Sequence, residues 1–349
     1  MTRLVLLLLA FIVPAYALNL SIVSLLQNLK NATLQQTTDF FDFIKAHKKD
    51  YGTADELKTR FETWKGNMAE IAEELAGAKR NGYQIGSNFF ADMNPAERQK
   101  FVMRADLADE ADGRLKREMP RAKRAVYTYT GETIDWRFTG YMPAVRNQGS
   151  CGSCYAFAAI NAIEVQWNWL GHNAAFSEQQ IVDCAGSNQG CNGGWPEKVF
   201  NYSKYYGNAA QSAYPYKAAV GTCYNTARTM TVSTWYQLTT VAQMESYNYY
   251  YGPVAFSMYV PNALYSYTGG IFYPTQSTCS STSNVGAHAM TIVGYGSENG
   301  VPYWIVRNSW GATWGEGGYF RMRKGVNNCG METRGVFFPW LIGNNGAGR

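Results

Sequence analysis

The 349-residue sequence predicts an α+β protein built from two consecutive parts. From about residue 38 to residue 107 the composition is charged and helix-forming, with few glycines and no cysteine. From Tyr127 onward the chain is rich in Gly, Tyr, Trp and Cys, and after Trp235 it changes to short apolar runs. We therefore expect a helical first part, then a second part with a helical half, about 127–234, and an antiparallel, barrel-like β half, about 235–340.

The amino terminus predicts a secretory leader. One Arg precedes an apolar run from Leu4 to Val13, and Ala15-Tyr16-Ala17 has the small-x-small pattern that signal peptidase cleaves. A membrane anchor would need about 20 apolar residues, roughly twice this run. We interpret residues 1–17 as a signal peptide, and no later segment has the composition of a membrane span.

Secretion places the chain in an oxidising compartment, so its seven cysteines predict three disulfides and one remaining thiol. The net charge of +5 is spread over the whole chain, and nothing in the pattern indicates nucleic-acid binding. Three sequons, at Asn19, Asn31 and Asn201, are compatible with glycosylation.

The first part contains one long helical stripe. Six residues are spaced 4, 4, 3, 4 and 4 apart, so that they share one helix face: Glu56, Arg60, Trp64, Asn67, Ile71 and Leu75. An ordinary amphipathic helix explains this periodicity by itself. A second pattern, Gly86-x-Asn88-x-Phe90-x-Asp92, follows closely.

A linker is predicted between the two parts. Residues 105–124 mix both charges densely and have almost no large apolar side chain, so they cannot bury enough surface to fold. The segment ends in Arg121-Ala122-Lys123-Arg124, which resembles the basic sites cleaved by furin-type convertases.

Two cysteines three residues apart, Cys151 and Cys154, stand before residues 154–170, a predicted buried helix that stops at Gly171. They could be a redox pair, half of a zinc site, or a nucleophile beside a structural cysteine. Zinc requires four ligands, but the second part has no other Cys-x-x-Cys and only two histidines, so no metal is expected. The redox pair remains open, because it too would lie at a helix start.

A nucleophilic cysteine needs a positive neighbour, which a helix amino end and a histidine can supply. His172 follows the helix that begins at Cys154 and would lie more than about 20 Å away. His288 enters a predicted strand and is the remaining candidate for base and acid. Asn308 could orient its imidazole, and Gln148 could donate to an oxyanion beside the Cys154 amide.

Together these residues resemble a papain-family cysteine protease, close to the cathepsin L group, over residues 134–340. The resemblance is carried by NQGSCGSC, by His288, by NSWG at Asn308 and by the following TWGEGGYF. The first part resembles the propeptide of this family, since five of six positions fit the stripe called ERFNIN and all four fit GNFD. Leu75 departs from the usual Asn.

The resemblance implies a two-lobed peptidase, residues 125–349, preceded by an inhibitory helical propeptide, residues 18–124. It implies a monomer without cofactor that cleaves peptides and proteins, is inhibited by its own propeptide and by cystatin-type proteins, and resides in a lysosome or outside the cell. The short segment between Trp195 and Cys223 favours endopeptidase action. A catalytically silent binding protein and, less favoured, a thiol-disulfide oxidoreductase are the alternatives.

By the same resemblance Cys151 pairs with Cys191, Cys184 with Cys223, and Cys279 with Cys329. The implied substrate-binding residues are Gly193, Gly194, Trp195, Pro196, Ser257, Ala289, Arg334 and Trp310, the last covering Asn308. Tyr155 replaces the usual Trp after the nucleophile, and Ala287 replaces an acceptor before the histidine. Arg334 would lie at the floor of the second pocket and disfavour basic side chains there, unless it extends into solvent.

Overall fold

The computed structural model describes residues 33–104, 133–229, 231–279 and 286–342. The predicted signal peptide, the linker with its basic motif, and the sequons at Asn19 and Asn31 lie outside these ranges. The chain forms two compact units. Of the described residues, one unit contains 33–73 together with Gly86–Asn94, and the other contains Glu74–Ile85 and those from Pro95 onward.

The first unit contains helix α1 (Leu34–Ala46) and most of helix α2 (Ala54–Arg80). Thr33 starts α1 with a capping box, in which its hydroxyl accepts from the Gln36 amide and the Gln36 side chain accepts from the Thr33 amide. Aromatic side chains fill the space between the helices, with the rings of Phe40 and Phe61 5.2 Å apart. This core holds two helices that are separated by only a short loop.

The predicted stripe lies on α2, which confirms the helix. Its central members Trp64, Asn67 and Ile71 are buried, whereas Leu75 is 48% exposed. Asn67 Nδ2 donates to the carbonyls of Ala91 and Met93 at 2.8 and 3.0 Å, and so attaches the helix to the second motif.

The Gly86–Asp92 motif forms a loop around a buried carboxylate. Asp92 accepts hydrogen bonds from Lys49 Nζ at 2.7 Å and from the Tyr51 hydroxyl at 2.8 Å. The prediction of a helical segment over 38–107 is therefore wrong for residues 83–94, which form a short strand and this loop.

The second unit is arranged around helix α4 (Cys154–Trp169), which begins at the predicted nucleophile and ends two residues before Gly171. A short helix, α3 (Pro95–Arg98), precedes it in the chain. Every residue from Cys154 to Gln166 is buried. Helices α5 (Glu178–Cys184) and α6 (Pro196–Tyr206) pack against α4, as predicted for the helical half.

A mixed sheet packs on the other side of α4. Its strands are β1 (Tyr83–Ile85), β2 (Ile134–Asp135), β5 (Val232–Leu238), β6 (Val254–Tyr259), β7 (Tyr267–Phe272), β8 (Ala287–Glu298), β9 (Val301–Arg307), β10 (Tyr319–Arg323) and β11 (Val336–Leu341). They lie in the order β1-β7-β10-β9-β8-β6-β11-β5, and β2 also pairs with β8. A separate two-stranded sheet joins β3 (Asn208–Ala209) to β4 (Arg228–Thr229). Helices α7 (Val241–Tyr250) and α8 (Asn262–Tyr265) connect strands of the larger sheet.

The apolar runs PVAFSMYV, AMTIVGYG and PYWIVRNSW supply β6, β8 and β9, and the α+β class is confirmed. The antiparallel prediction is wrong for one pair, because β7 and β10 run parallel. The β half also begins earlier than predicted, because its strand β5 starts at Val232, three residues before Trp235.

Strand β1 comes from the predicted propeptide and forms an edge of this sheet by pairing with β7. The register pairs Tyr83 with Gly270 and Gln84 with Gly269 of β7. A Cβ atom on Gly270 would lie 2.5 Å from the Gly82 carbonyl oxygen, so no larger residue fits there.

All three implied disulfides are present, and Cys154 is the one free cysteine among the seven. Cys151 bonds to Cys191, so it holds the loop before α4 to the loop before Trp195. This bond contradicts a Cys151–Cys154 redox pair.

Candidate active site

Helix α4 and strand β8 bring Cys154 next to Ala289, the residue that follows His288. One turn along α4, the Thr291 hydroxyl of β8 donates to the Ala158 carbonyl at 3.1 Å, which sets the register between the two elements. The thiol of Cys154 lies against the backbone amide of Ala289, the residue after His288. Both Cys154 and His288 are fully buried.

The imidazole of His288 is held from one side by Asn308. His288 Nε2 lies 2.7 Å from Asn308 Oδ1, which also accepts from the Ser309 amide at 2.8 Å. The indole of Trp310 stacks on the imidazole with ring centroids 4.7 Å apart. Since Nε2 donates to Asn308, the neutral ring has its lone pair on Nδ1, which has no hydrogen-bond partner among the described residues. That nitrogen can take a proton from a thiol.

Burial keeps both reactive groups neutral in this form. It raises the pKa of the Cys154 thiol to about 11, although the amides of Ala289, Tyr155 and Met103 act in the opposite direction. Burial also lowers the pKa of His288 to about 4, opposed by the hydrogen bond to Asn308. A thiolate–imidazolium pair is therefore disfavoured while the site is covered.

The chain's own residues 101–104 cover the site. Met103 pairs with Ala287 through two backbone hydrogen bonds, of 2.7 and 3.1 Å, and the Arg104 amide donates to the Asn192 carbonyl at 3.4 Å. The fully buried Met103 belongs to the same apolar cluster as Cys154 and Trp195. The segment thus bridges the helical half and the β half directly over the cysteine.

Gln148 presents its amide to this segment. Its Nε2 donates to the carbonyls of Phe101 and Cys151 at 3.0 and 2.8 Å. Its Oε1 accepts from the Ser309 hydroxyl at 2.5 Å, which fixes the orientation of the amide. The Trp310 indole N–H also donates to the Phe101 carbonyl, at 3.3 Å. The Phe101 carbonyl thus occupies the amide of Gln148, the predicted donor to the oxyanion.

The implied substrate loop lies beside α6. Gly193 and Gly194 lead into Trp195, whose amide donates to Asn188 Oδ1 at 2.9 Å, and Pro196 begins the helix. A Cβ atom on Gly194 would lie 2.3 Å from that same oxygen. The glycine is therefore required by the Asn188 contact, independently of any substrate.

The implied second pocket is bordered by β6 and β8, where Ser257 lies opposite Ala289. Arg334 is buried, and its guanidinium carbon lies 3.8 Å from the centre of the Tyr259 ring, two residues after Ser257. The alternative in which Arg334 extends into solvent is wrong for this form.

Other predicted residues are placed as follows. His172 stacks on Trp167 with centroids 4.0 Å apart at the far end of α4, which agrees with its exclusion from the site. Tyr155 is buried and its hydroxyl donates to the Gly190 carbonyl at 3.1 Å. Ala287 offers no side-chain acceptor, but its backbone receives Met103.

Sequence reasoning predicted an inhibitory propeptide but not which of its residues cover the cysteine, and it missed two residues that hold Gln148. Ser309 orients the Gln148 amide, and the Tyr216 hydroxyl donates to the Gln148 backbone carbonyl at 2.7 Å. The position of Ser309 directly after Asn308 was an available signal. Nothing in the residue pattern around Met103 indicated its position on Cys154.

Among the described helices, none combines the length and apolar character that crossing a bilayer requires. The site combines a cysteine at a helix start with a histidine held by an asparagine, and an upstream segment of the same chain covers the cysteine. This combination defines a cysteine peptidase in its precursor form.

Comparison with known proteins identifies the family. Residues 130–338 match the model of the papain family cysteine proteases, and residues 40–97 match that of the cathepsin propeptide inhibitor domain. The chain therefore belongs to the papain family of cysteine proteases, which hydrolyse peptide bonds, and it carries the inhibitor domain of a zymogen.

Individual relatives agree with this assignment. Over 307 residues the chain is 36% identical to pro-cathepsin H of Medicago truncatula, covering 86% of this chain and 85% of that protein. It is 35% identical over 302 residues to a cathepsin L-like proteinase of Fasciola hepatica, covering 83% and 89%. The structure of digestive procathepsin L 3 from Tenebrio molitor larval midgut superposes with a TM-score of 0.75 at 33% identity, over 89% of this chain and all of that one.

Proposed function

We propose that the protein is the zymogen of a secreted cysteine endopeptidase in which Cys154 is the nucleophile and His288 is the base and acid. The observation that carries the proposal is the way in which the imidazole of His288 is held. Nε2 of His288 is bound to Asn308, and its Nδ1 has no partner among the described residues. The thiol of Cys154 lies against the backbone amide of Ala289, the residue after His288. This is the arrangement that proton exchange between thiol and imidazole needs.

In acylation, His288 Nδ1 holds the proton of Cys154, and the thiolate attacks the carbonyl carbon of the peptide bond. The oxygen becomes an oxyanion, which accepts hydrogen bonds from Gln148 Nε2 and the Cys154 backbone amide. As the tetrahedral intermediate collapses, His288 transfers its proton to the leaving amine and a thioester remains. In deacylation His288 removes a proton from water, the hydroxide attacks the thioester, and the thiolate leaves.

The propeptide inhibits in this proposal by covering the site and by keeping it dry. The Phe101 carbonyl takes the hydrogen bond that an oxyanion would take, and Met103 excludes water from Cys154. Removal of residues 18–124 by cleavage after Arg124 would admit water, lower the desolvation cost, and allow the ion pair to form. Protonation of propeptide carboxylates at low pH would assist that release.

The proposed substrates are peptides and proteins bound along Gly193 and Gly194, with Trp195 as one wall of the second pocket. Cystatin-type inhibitors are the proposed protein partners. The proposed location is the secretory pathway, with a lysosomal or extracellular destination, and the proposed state is a monomer.

The direct test is labelling with a peptidyl epoxide, which alkylates activated thiols, at pH about 5. We expect labelling of the chain processed at Arg124, on Cys154 alone, and none of the zymogen or of processed Cys154→Ala. Sequencing the mature amino terminus should give a start at or near Ala125. Correctly folded, processed protein that takes no label would instead favour a catalytically silent binding protein.

A second prediction concerns specificity. The buried guanidinium of Arg334, stacked on Tyr259 of β6, should favour acidic and disfavour basic side chains two residues before the cleaved bond. Replacement of Arg334 by alanine is expected to lower the preference for Glu over Lys at that position by about tenfold, the effect of one modest charge interaction. The measurement is kcat/KM for fluorogenic peptides that differ only at that residue. Arg334→Lys, which keeps the charge, is the control, and an unchanged preference in Arg334→Ala would rule out this role.

A further inference from the structure

A small polar cavity lies next to the pair formed by His288 and Asn308. It offers about 20 Å³ of space for a water, and one buried water needs roughly 10–15 Å³. Its walls include Asn161 from α4, Thr291 from β8, and Asn308 with Ser309 after β9. The cavity therefore extends from the core of the helix to the residue that holds the imidazole.

Several residues that line this cavity have buried polar atoms without a hydrogen-bond partner among the described residues. Asn161 is 5% exposed and Asn308 is 3% exposed. Both side-chain atoms of Asn161 and Nδ2 of Asn308 have no hydrogen-bond partner among the described residues, and the same holds for one carboxylate oxygen each of Glu164 and Glu178. Buried polar groups almost always have a partner, so these atoms indicate a bound water that contacts several of them.

Asn161 is an unusual residue at its position. The two residues on either side of it are Ala159, Ile160, Ala162 and Ile163, all fully buried. An amide there costs stability unless it has hydrogen bonds, so its presence requires a reason other than packing.

We propose that Asn161 is a positioning residue which, through one internal water, keeps the Asn308 amide turned with Oδ1 toward His288. This inference rests on the proposed function. The water accepts from Asn308 Nδ2, donates one hydrogen to Asn161 Oδ1, and donates the other to a carboxylate oxygen of Glu164 or Glu178. A flipped Asn308 amide would direct an N–H group at the N–H of His288, and the water opposes that flip together with the Ser309 amide.

The charged surroundings must be considered before a pH profile is interpreted. The thiol of Cys154, on α4, lies against the amide of Ala289, next to His288 in the chain. The cavity is lined by four charged residues, Arg146, Arg307, Glu164 and Glu178. Arg146 binds both carboxylates, at 2.9 Å and 2.5 Å. Burial raises the pKa of both Glu164 and Glu178, and Arg146 opposes that rise in each case. The variants below leave all four charged residues in place, and each profile is compared with that of the wild type.

The test uses the processed enzyme with Asn161→Leu, which has nearly the same size but no hydrogen bonds. We expect kcat/KM per titrated thiol to fall roughly three- to tenfold, the effect of one weakened hydrogen bond. Because the imidazolium loses part of its acceptor, its pKa should fall, and the alkaline limb of the kcat/KM profile should move to lower pH. Asn161→Ser, which keeps a hydroxyl and leaves room for a second water, should restore most of the activity and the position of the limb.

The control is Asn168→Leu at the far end of the same helix. Asn168 donates to the Tyr141 carbonyl at 3.2 Å and accepts from the Ala174 amide at 3.0 Å, so its replacement destabilises α4 without touching the cavity. The alkaline limb of the kcat/KM profile of Asn168→Leu should stay at its wild-type pH. A wild-type profile and kcat/KM within about twofold in Asn161→Leu would overturn the inference, as would a crystal structure of the processed enzyme with no water between Asn161 and Asn308. Failure of the wild type to label would overturn the proposed function, and this role with it.

Discussion

Replacing His288 by alanine is expected to lower kcat/KM for peptide hydrolysis by the processed enzyme by roughly 10⁴-fold. The variant loses the proton acceptor of the thiol and the proton donor of the leaving amine. An unassisted thiol has a pKa near 8.5, so only about one molecule in a thousand carries a thiolate at pH about 5.5.

The pH dependence of alkylation distinguishes this loss from misfolding. With His288 present, the thiolate is stabilised by the imidazolium, and iodoacetamide should react over a plateau that extends into acid. In His288→Ala the rate should instead rise with pH and follow an ordinary thiol. His172→Ala is the matched control, because His172 is the other histidine of the mature part and stacks on Trp167 away from the site. Retention of the acid plateau without His288 would show that another group supplies the charge.

Gln148→Ala is expected to lower kcat/KM for peptides by about 10²- to 10³-fold, as removal of one oxyanion donor does. The Ser309 hydroxyl holds the Gln148 amide in a fixed orientation in the structure, so the donor is in place before the reaction begins. Alkylation of Cys154 by iodoacetamide forms no oxyanion, and its rate should therefore change little.

That contrast is the measurement that separates oxyanion stabilisation from thiol activation. Gln148→Glu keeps the shape of the side chain and the acceptor for Ser309 but replaces the donor with a negative oxygen, so it should be at least as inactive in hydrolysis. Gln211→Ala, a partly exposed glutamine outside the site, is the control. Equal losses in hydrolysis and alkylation for Gln148→Ala would assign the residue to the folding of the loop rather than to the oxyanion.

Local patterns predicted a large part of the fold. Helix α4 follows from the spacing of small and apolar residues after Cys154 and from Gly171, and β8 follows from an apolar run bounded by glycines. Such features depend on residues close together in the sequence, where periodicity is informative. The disulfides and the pocket residues were not derivable in this way and came from the family resemblance.

The features that sequence reasoning missed depend on distant contacts. Residues 83–85 become a strand because β7, more than 180 residues later, offers a partner. Met103 lies on Cys154 because its backbone pairs with Ala287. The sequence gives no sign that Asn161 shares a cavity with Asn308, because that position depends on how α4 packs against the β half. Pairing and packing at such separations leave no periodic signal in either segment.

The pairing of β1 with β7 has a consequence for the enzyme after maturation. If the propeptide is removed, the sheet loses its outer strand β1, and β7 presents unpaired backbone groups to solvent. Such an exposed edge strand can pair with a strand of a second chain. Gly270, which the close approach of β1 requires, and the adjacent Gly269 leave that stretch without side chains with which a new partner could pack. The position that admits the temporary strand thus leaves, in the finished enzyme, a border that only another backbone at equally close range could join.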